Sequence, residues 1–183
     1  MTMFARIRAM PALAAMLALA GPAAAQALRG HNTAAPVDVE ADRIEVQDRA
    51  DRAVFAGNVR VRQGDLALDA ARLTIAYDRQ GGDGLQIERL DAAGGVTLRS
   101  PSETARGQYA IYDLNRRQIT MVGGVTLNQG ANVIRGGRLV IDLNSGRASM
   151  DGAAAPGTTT GRGGRVTGRF TVPQRQDGTG ERR

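Results

Sequence analysis

The sequence predicts an all-β protein, an antiparallel roll built from repeated strands. Between residues 37 and 150, apolar and polar residues alternate at period two. Val, Ile, Leu, Thr and Tyr, which favour strands, carry the alternation, and Gly-rich segments interrupt it. No convincing helical periodicity occurs in this region, so we expect backbone pairing between strands to build the fold.

The N-terminal residues have the pattern of a targeting segment. Arg6 and Arg8 precede an apolar run at 10–20, and three alanines at 23–25 offer a small-x-small cleavage pattern. The run has about a dozen residues, whereas a membrane-spanning helix needs roughly 20. We therefore expect residues 1–25 to be a cleaved signal peptide and the mature protein to be secreted and soluble. The chain has no cysteine, so it has no disulfide and no residue for a lipoprotein anchor.

Short alternating segments predict the individual strands, and glycines predict the turns between them. Predicted strands include 59–62, 66–69, 73–77, 96–99 and 119–121. Predicted turns are 63–64, 81–84, 94–95, 123–124, 129–130 and 144–146, because Gly, and less readily Asn or Asp, tolerates positive φ.

The strands also repeat along the chain. Residues 55–77 align without a gap on residues 121–143, and a weaker third copy occupies 94–113. In the two stronger copies the large apolar residues shift from even-numbered to odd-numbered positions, and the shift occurs at the pairs of small residues 70–71 and 136–137. Such a change is typical of a β-bulge or strand bend, so we expect a stacked antiparallel roll with unpaired terminal strands.

Composition divides the mature chain into one domain and loose ends. We expect a flexible N-terminus at 26–35 and one domain at 36–151. A Gly/Arg-rich flexible segment is expected at 152–164, a C-terminal strand at 165–173 and a disordered tail at 174–183.

The charge distribution argues against a nucleic-acid partner. The net charge is +6, but Arg and acidic residues are equal in number between Gln26 and Asp151, so the domain itself is neutral. Aromatic residues make up only 3%, too few to provide a stacking platform. The Arg-Gly-Gly-Arg sequence at 162–165 is similar to RNA-binding Arg-Gly segments, but in a secreted chain we interpret it as part of a tail.

The sequence contains no recognisable catalytic constellation. His31 is the only histidine and lies in the loose N-terminal stretch, and no serine has a partnered base. Asp38, Glu40 and Asp42 alternate as the ligands of a cation site do, but we interpret them as the solvent-facing side of a strand. We predict no enzyme activity, no cofactor and no metal site.

Two blocks carry a resemblance to a known family. Residues 36–46 (PVDVEADRIEV) and 53–70 (AVFAGNVRVRQGDLALDA) resemble the organic-solvent-tolerance-type (OstA-like) domain family of lipopolysaccharide transport protein A. Later segments at 124–130, 134–139 and 165–173 are similar to the same family's later strands, so the resemblance covers about residues 36–173.

The resemblance implies a fold, a location and partners. It implies a slightly twisted, V-shaped β-jelly roll, open at both ends, located in the periplasm. The implied function is to carry lipopolysaccharide from an inner-membrane extraction complex to an outer-membrane translocon for outer-membrane assembly.

An inward apolar face would hold the lipid acyl chains, although every β protein needs such a face for packing alone. The residues expected there are Ile44, Phe55, Val59, Val61, Leu66, Leu68, Leu73, Ile75, Ile87, Val96, Leu98, Ile111, Ile119, Met121, Val125, Leu127, Ile134, Leu139 and Ile141.

The terminal strands would dock neighbouring copies head to tail, or the transport partners, by β-augmentation. The edge residues are Val37, Val39, Ile44, Val46, Val166 and Phe170. The alternative is that charged residues simply protect these edges from pairing.

The arginines leave two interpretations open. Arg60, Arg62, Arg72 and Arg138 would pair with lipid phosphates or else form solvated strand faces.

Two rival functions remain. One is a secreted β-repeat structural or assembly protein without a lipid ligand. The other is a carbohydrate-active β-solenoid enzyme, which the absence of Trp disfavours because sugar sites use aromatic platforms.

Overall fold

A computed structural model describes residues 31–78, 86–152 and 164–171. These residues form ten strands and one 3₁₀ turn at Asp48–Ala50. The strands are β1 Asp38–Glu40, β2 Arg43–Gln47, β3 Arg52–Gln63, β4 Leu66–Asp78, β5 Gln86–Arg99, β6 Glu103–Asp113, β7 Gln118–Gln129, β8 Asn132–Asp142, β9 Arg147–Asp151 and β10 Thr167–Arg169. None of the helical structure in these ranges is long or apolar enough to cross a membrane.

The strands form one antiparallel sheet in which β3 to β8 pair in chain order. At one edge, β1 and β2 both pair with β3, and at the other edge β9 and β10 both pair with β8. The sheet is not closed, because β1 and β2 do not pair with β9 or β10. The predicted all-β fold class is therefore confirmed.

A row of bulges crosses the sheet at its middle. On β3, β5 and β7, the pairs Gly57-Asn58, Gly94-Gly95 and Gly123-Gly124 interrupt the register, and all six residues have positive φ. In each case two residues on the bulged strand face one residue on the next strand. This is the arrangement that bends a strand and increases its twist.

Two of the predicted turns are therefore wrong, because the segments form bulges within strands. Gly94-Gly95 and Gly123-Gly124 lie inside long strands and do not connect strands. The turns predicted after Gln63, after Gln129 and at 144–146 are confirmed, and the one at 81–84 lies outside the described residues.

The bulges divide the sheet into two layers. The first layer contains β2, β9 and the strand portions 52–56, 72–78, 86–93, 109–113, 118–122 and 138–142. The second layer contains β1, β10 and the portions 59–63, 66–70, 96–99, 103–107, 125–129 and 132–136.

The two layers face each other across the core. The Tyr112 hydroxyl of the first layer donates a 3.0 Å hydrogen bond to the Gln63 side-chain oxygen of the second. Their strands are three positions apart in the sheet, about 14 Å at the usual strand spacing if the sheet were flat. The bend has therefore folded the sheet onto itself, and the core lies between its two halves.

The repeats seen in the sequence correspond to this geometry. Gly57 and Gly123, which align in the two stronger copies, have φ values of 81° and 90° at equivalent bulges. Gly94 of the weaker copy has a φ of 87° in the bulge between them. A Cβ at any of the three would approach a neighbouring side-chain atom to 2.7 Å or less, so the close backbone approach requires glycine.

Candidate functional site: the inner apolar face and its two edges

Two cross-strand rows of apolar side chains form the inner face of the first layer. The register aligns Ile44, Phe55, Leu73, Ala92, Ala110, Met121, Leu139 and Met150 in one row. It aligns Val46, Ala53, Ile75, Leu90, Tyr112, Ile119, Ile141 and Ala148 in the next. Directly paired residues share a face of a sheet, so the apolar surface runs from β2 to β9 without a break.

A matching row crosses the second layer. It consists of Val39, Val61, Leu68, Leu98, Ala105, Leu127, Ile134 and Gly168. The two inner faces therefore provide an apolar interior that extends from one edge of the folded sheet to the other.

The centre of this interior is closely packed. Leu73, Met121 and Leu139 are completely buried. Towards the end where Gln63 and Tyr112 lie, a cavity of about 20 Å³ separates the layers, bounded on one side by Leu68 and on the other by Leu90. That volume accommodates about one water molecule.

At the N-terminal edge the inner face becomes exposed. Ile44 and Val46 of β2 are 57% and 56% exposed, although they continue the two rows of the first layer. Val37 and Val39 lie half-buried against the core on the other layer. Ile44 thus lies on the inner face at the edge of the sheet, where no strand of the described residues lies beyond β2 to cover it, and its contact with lipid or a partner stays a prediction.

At the C-terminal edge the layers separate around an apolar pocket of about 280 Å³. The second layer contributes Leu127, Ile134, Val166, Gly168 and Phe170, and the first contributes Leu139, Ala148 and Met150. Phe170, beside this pocket, is 62% exposed.

The predicted interior residues mostly lie where they were expected. Those that are buried between the layers are Val59, Val61, Leu66, Leu68, Leu73, Ile75, Val96, Leu98, Ile119, Met121, Val125, Leu127, Leu139 and Ile141. Phe55, Ile87 and Ile134 are half-buried against this core. Contact of any of them with lipid stays a prediction.

The assignment of Ile111 to the interior is wrong. It is 43% exposed on the outer face, where it pairs with Asp91 and Thr120. Its neighbours Ala110 and Tyr112 point inward instead, because the irregularity between Arg106 and Tyr109 changes the parity of β6. Sequence analysis also missed Leu90 and Tyr112, which are 3% and 6% exposed.

Two polar residues are buried at the end of the roll where β3 and β7 finish. Gln63 is 3% exposed and bonds to Tyr112, while the amide of Gln129 donates to Glu103, which is 9% exposed. Burial raises the pKa of the Tyr112 phenol, although the Arg117 charge and the Gln63 hydrogen bond oppose the rise. Tyr112 therefore remains a neutral hydrogen-bond donor at physiological pH.

The charged candidates lie outside the apolar interior. Asp38 and Glu40 pair in register with Arg62 and Arg60, so opposite charges face each other across β1 and β3. Asp42 instead accepts a 2.8 Å hydrogen bond from Asn58 at the first bulge. Within the described ranges, no group of three or more His, Asp or Glu side chains has the arrangement of a metal site.

Arg72 and Arg138 occupy equivalent positions in the repeat. Both are exposed on the outer face of the first layer. Arg72 pairs with Ala93 on the neighbouring strand, and Arg138 pairs with Val122. Their side chains therefore lie on the surface opposite the apolar interior.

Comparisons with known proteins agree with this architecture. LptH, described as the LptA homologous periplasmic component of the lipopolysaccharide transport device of Pseudomonas aeruginosa, has a similar fold, with a TM-score of 0.66 at 21% identity. The match covers 75% of this chain and 96% of that one.

Two curated relatives match in sequence. An uncharacterized protein of Rhizobium meliloti (strain 1021) is 32% identical over 90 residues, which span 47% of this chain and 48% of the relative. The LPS-assembly protein LptD of Yersinia enterocolitica is 29% identical over 86 residues, 47% of this chain but 11% of LptD. The chain thus matches about half the length of the first relative and a small part of the second.

Residues 38–147 match the family described as "LptA/(LptD N-terminal domain) LPS transport protein". This match covers more than half of the chain and includes strands β1 to β8. The resemblance noted in the sequence is confirmed, and the chain belongs to the LptA/LptD N-terminal domain family of lipopolysaccharide transport proteins.

Proposed function

We propose that this chain is a periplasmic carrier that binds lipopolysaccharide and moves it from the inner membrane towards the outer membrane. The observation that supports the proposal most directly is the inner apolar face, which is exposed at both edges of an unclosed sheet. Membership of a transport family supports it independently.

The acyl chains would enter between the two layers. Moving hydrocarbon from water to an apolar surface is favourable by about 25 cal/mol per Å², and the C-terminal pocket offers such a surface without rearrangement. The cavity beside Gln63 and Tyr112 holds about one water molecule, so entry there requires the neighbouring parts to move apart.

The edges would connect the carrier to its partners. Ile44 and Val46 at one edge and Val166 and Phe170 at the other leave the apolar rows without a cover. Strand pairing with a second copy, with an inner-membrane extraction complex or with an outer-membrane translocon would extend the rows from one protein into the next.

Photo-cross-linking to purified lipopolysaccharide tests the proposal. A photoreactive side chain in place of Phe170 is expected to form lipid adducts. The matched control replaces Tyr109, which is 52% exposed on the outer face and is expected to form none. Equal labelling from both sites, or none from position 170, would overturn the acyl-binding role.

A second candidate is a β-repeat structural protein without a lipid ligand. The closely packed core around Leu73, Met121 and Leu139 favours it, because such a protein needs no interior space. The same experiment separates the two, since a structural protein would retain no lipopolysaccharide at either position.

A further inference from the structure

The amide of Gln63 has all four of its hydrogen bonds satisfied. Its nitrogen donates to the carbonyl oxygens of Thr33 and Ala35, each at 3.0 Å. Its oxygen accepts from the Tyr112 hydroxyl at 3.0 Å and lies 3.1 Å from Nε2 of His31. A primary amide offers two donors and one oxygen with two lone pairs, so the buried group is saturated. With the oxygen as acceptor, His31 donates from Nε2.

These bonds connect three parts of the molecule at one point. Gln63 belongs to the second layer and Tyr112 to the first. The other partners belong to residues 31–37, which we call the strap. His31, placed in a loose stretch by the sequence analysis, is in fact half-buried against Gln63.

The strap depends on Gln63 for its attachment by hydrogen bonds. In the described part of the chain, the three hydrogen bonds that join the strap to the roll all involve this side chain. The strap has no ladder bonds of its own, because strand pairing begins only at Asp38. An internal turn, with the Ala35 amide 3.2 Å from the Asn32 carbonyl oxygen, shapes it.

The strap also fills part of the interior. Its last residue, Val37, lines the small cavity between the layers together with Val61, Leu66 and Ile119. The alternate residues 31, 33, 35 and 37 are half-buried, and those between them are exposed. The strap therefore covers this end of the core with one side while the other side faces solvent.

The equivalent residue of the later repeat has a different role. Gln129 aligns with Gln63, but its amide donates to Glu103 on the neighbouring strand of the same layer. Only the first-repeat glutamine joins the two layers and the strap.

We propose that the strap is a displaceable plug, held by Gln63, and that a hydrocarbon chain enters this end of the roll by taking its place. This inference rests on the proposed lipid-carrying function. The cavity beside Val37 holds about one water, so an acyl chain has room there only after the strap and its valine leave. Because the Gln63 side chain bonds both to the strap and to Tyr112, loss of these bonds releases the strap and also removes the hydrogen bond between the two layers.

A reversible cross-link tests the displacement. A Cβ built at Gly64 lies 3.9 Å from the Cβ of Ala35, within the usual range for a disulfide, and the chain has no other cysteine. The full chain carrying Ala35→Cys and Gly64→Cys is compared in its oxidised and reduced forms, so strain at the positive φ of residue 64 is common to both. Mass spectrometry verifies the bond, and the two single-cysteine variants control for the redox treatment.

Binding of purified lipopolysaccharide is then measured by displacement of a fluorescent acyl probe. We expect the oxidised form to bind at least about 10-fold more weakly than the reduced form, equivalent to about 1.4 kcal/mol. Equal binding by the two forms would overturn the plug and leave the carrier proposal intact. No binding by either form or by the unmodified chain would overturn both.

A second variant tests the attachment without lipid. Gln63→Leu is expected to lower the hydrogen-exchange protection of the Ala34 and Ala35 amides, which bond to Asn32 within the strap, by about 10-fold or more, since local opening sets this protection. Gln129→Leu is the matched control and should leave it unchanged. Full protection of the strap in Gln63→Leu would show that Gln63 does not hold it.

Discussion

Tyr112 and Gln63 lie in opposite layers of the same sheet, and the hydrogen bond between them is 3.0 Å long. Both side chains are buried, so neither group can exchange its partner for water without the layers moving apart. The bond therefore reports directly on whether the folded sheet is closed at this end.

Removal of the Tyr112 hydroxyl should weaken the closed state. We expect Tyr112→Phe to lower the free energy of unfolding by about 1 kcal/mol at neutral pH, because the oxygen of Gln63 loses one of two donors while the ring keeps its packing. Urea unfolding followed by circular dichroism measures the change. An unchanged midpoint and slope would mean that the bond contributes nothing to stability.

The same phenol should make the protein sensitive to alkali. Its folded pKa lies above the unfolded value of about 10, so its contribution is complete below that pH. As pH rises from about 10 through the folded pKa, the unfolded chain loses its proton first and the free energy of unfolding falls. This decline should be smaller in Tyr112→Phe and persist in the outer-face control Tyr109→Phe; an identical decline in both would contradict the assignment.

A matched pair of isoleucines tests which face is inside. Ile119 is 1% exposed between the layers and Ile111 is 43% exposed on the outer face. We expect Ile119→Ala to cost about 2 to 5 kcal/mol of unfolding free energy, through lost burial and a cavity. We expect Ile111→Ala to change it by no more than about 0.5 kcal/mol. Chemical denaturation of both variants measures the difference, and similar losses would place Ile111 in the core.

The error at Ile111 explains what the sequence can and cannot predict here. Alternation of large apolar residues correctly identified the inward faces of β4 and β7, where Leu73, Ile75 and Met121 give strong contrast with their neighbours. On β6 the inward positions before and after the irregularity are Ala105 and Ala110, which are small and give little contrast. The change of inward-facing positions between them is therefore not visible in the pattern, which points to Ile111 and not to Tyr112.

The hydrogen bonds from Gln63 to the strap and to Tyr112 also cannot be predicted from the sequence. A glutamine before a glycine is typical of a turn, and the repeat gives Gln63 and Gln129 the same pattern. Their different partners depend on how the layers fold together and on where residues 31–37 lie. Only tertiary packing determines these contacts.

Adjacent glycines of the third bulge should differ in their tolerance of a side chain. A Cβ at Gly123 would lie 2.6 Å from the Cβ of Gln108, whereas a Cβ at Gly124 meets nothing within 4 Å. Both have positive φ, so Gly124→Ala should cost about 1 to 2 kcal/mol from backbone strain. Gly123→Ala should lower the melting temperature further. Equal melting temperatures would show that the bend relaxes around the added methyl group.

Asp142 should make the turn before β9 sensitive to acid. Its carboxylate accepts hydrogen bonds from the backbone N–H groups of Ser145 and Asn144, which hold the pKa of Asp142 below its usual value. The stabilisation is present above the unfolded pKa and is lost as pH falls through the folded one. Acid titration of the unfolding free energy should therefore decline less in Asp142→Asn than in the original chain, and parallel curves would contradict the prediction.

The row of bulges has a consequence for the size of proteins built this way. Each bulge pair bends its own strand, and each of the hairpins β3–β4, β5–β6 and β7–β8 pairs only with its neighbours along the chain. One more hairpin with its own glycine pair would fit between β6 and β7 and lengthen the roll by two strand spacings, about 10 Å. The fold can thus change its reach by duplication of a unit while its cross-section stays the same.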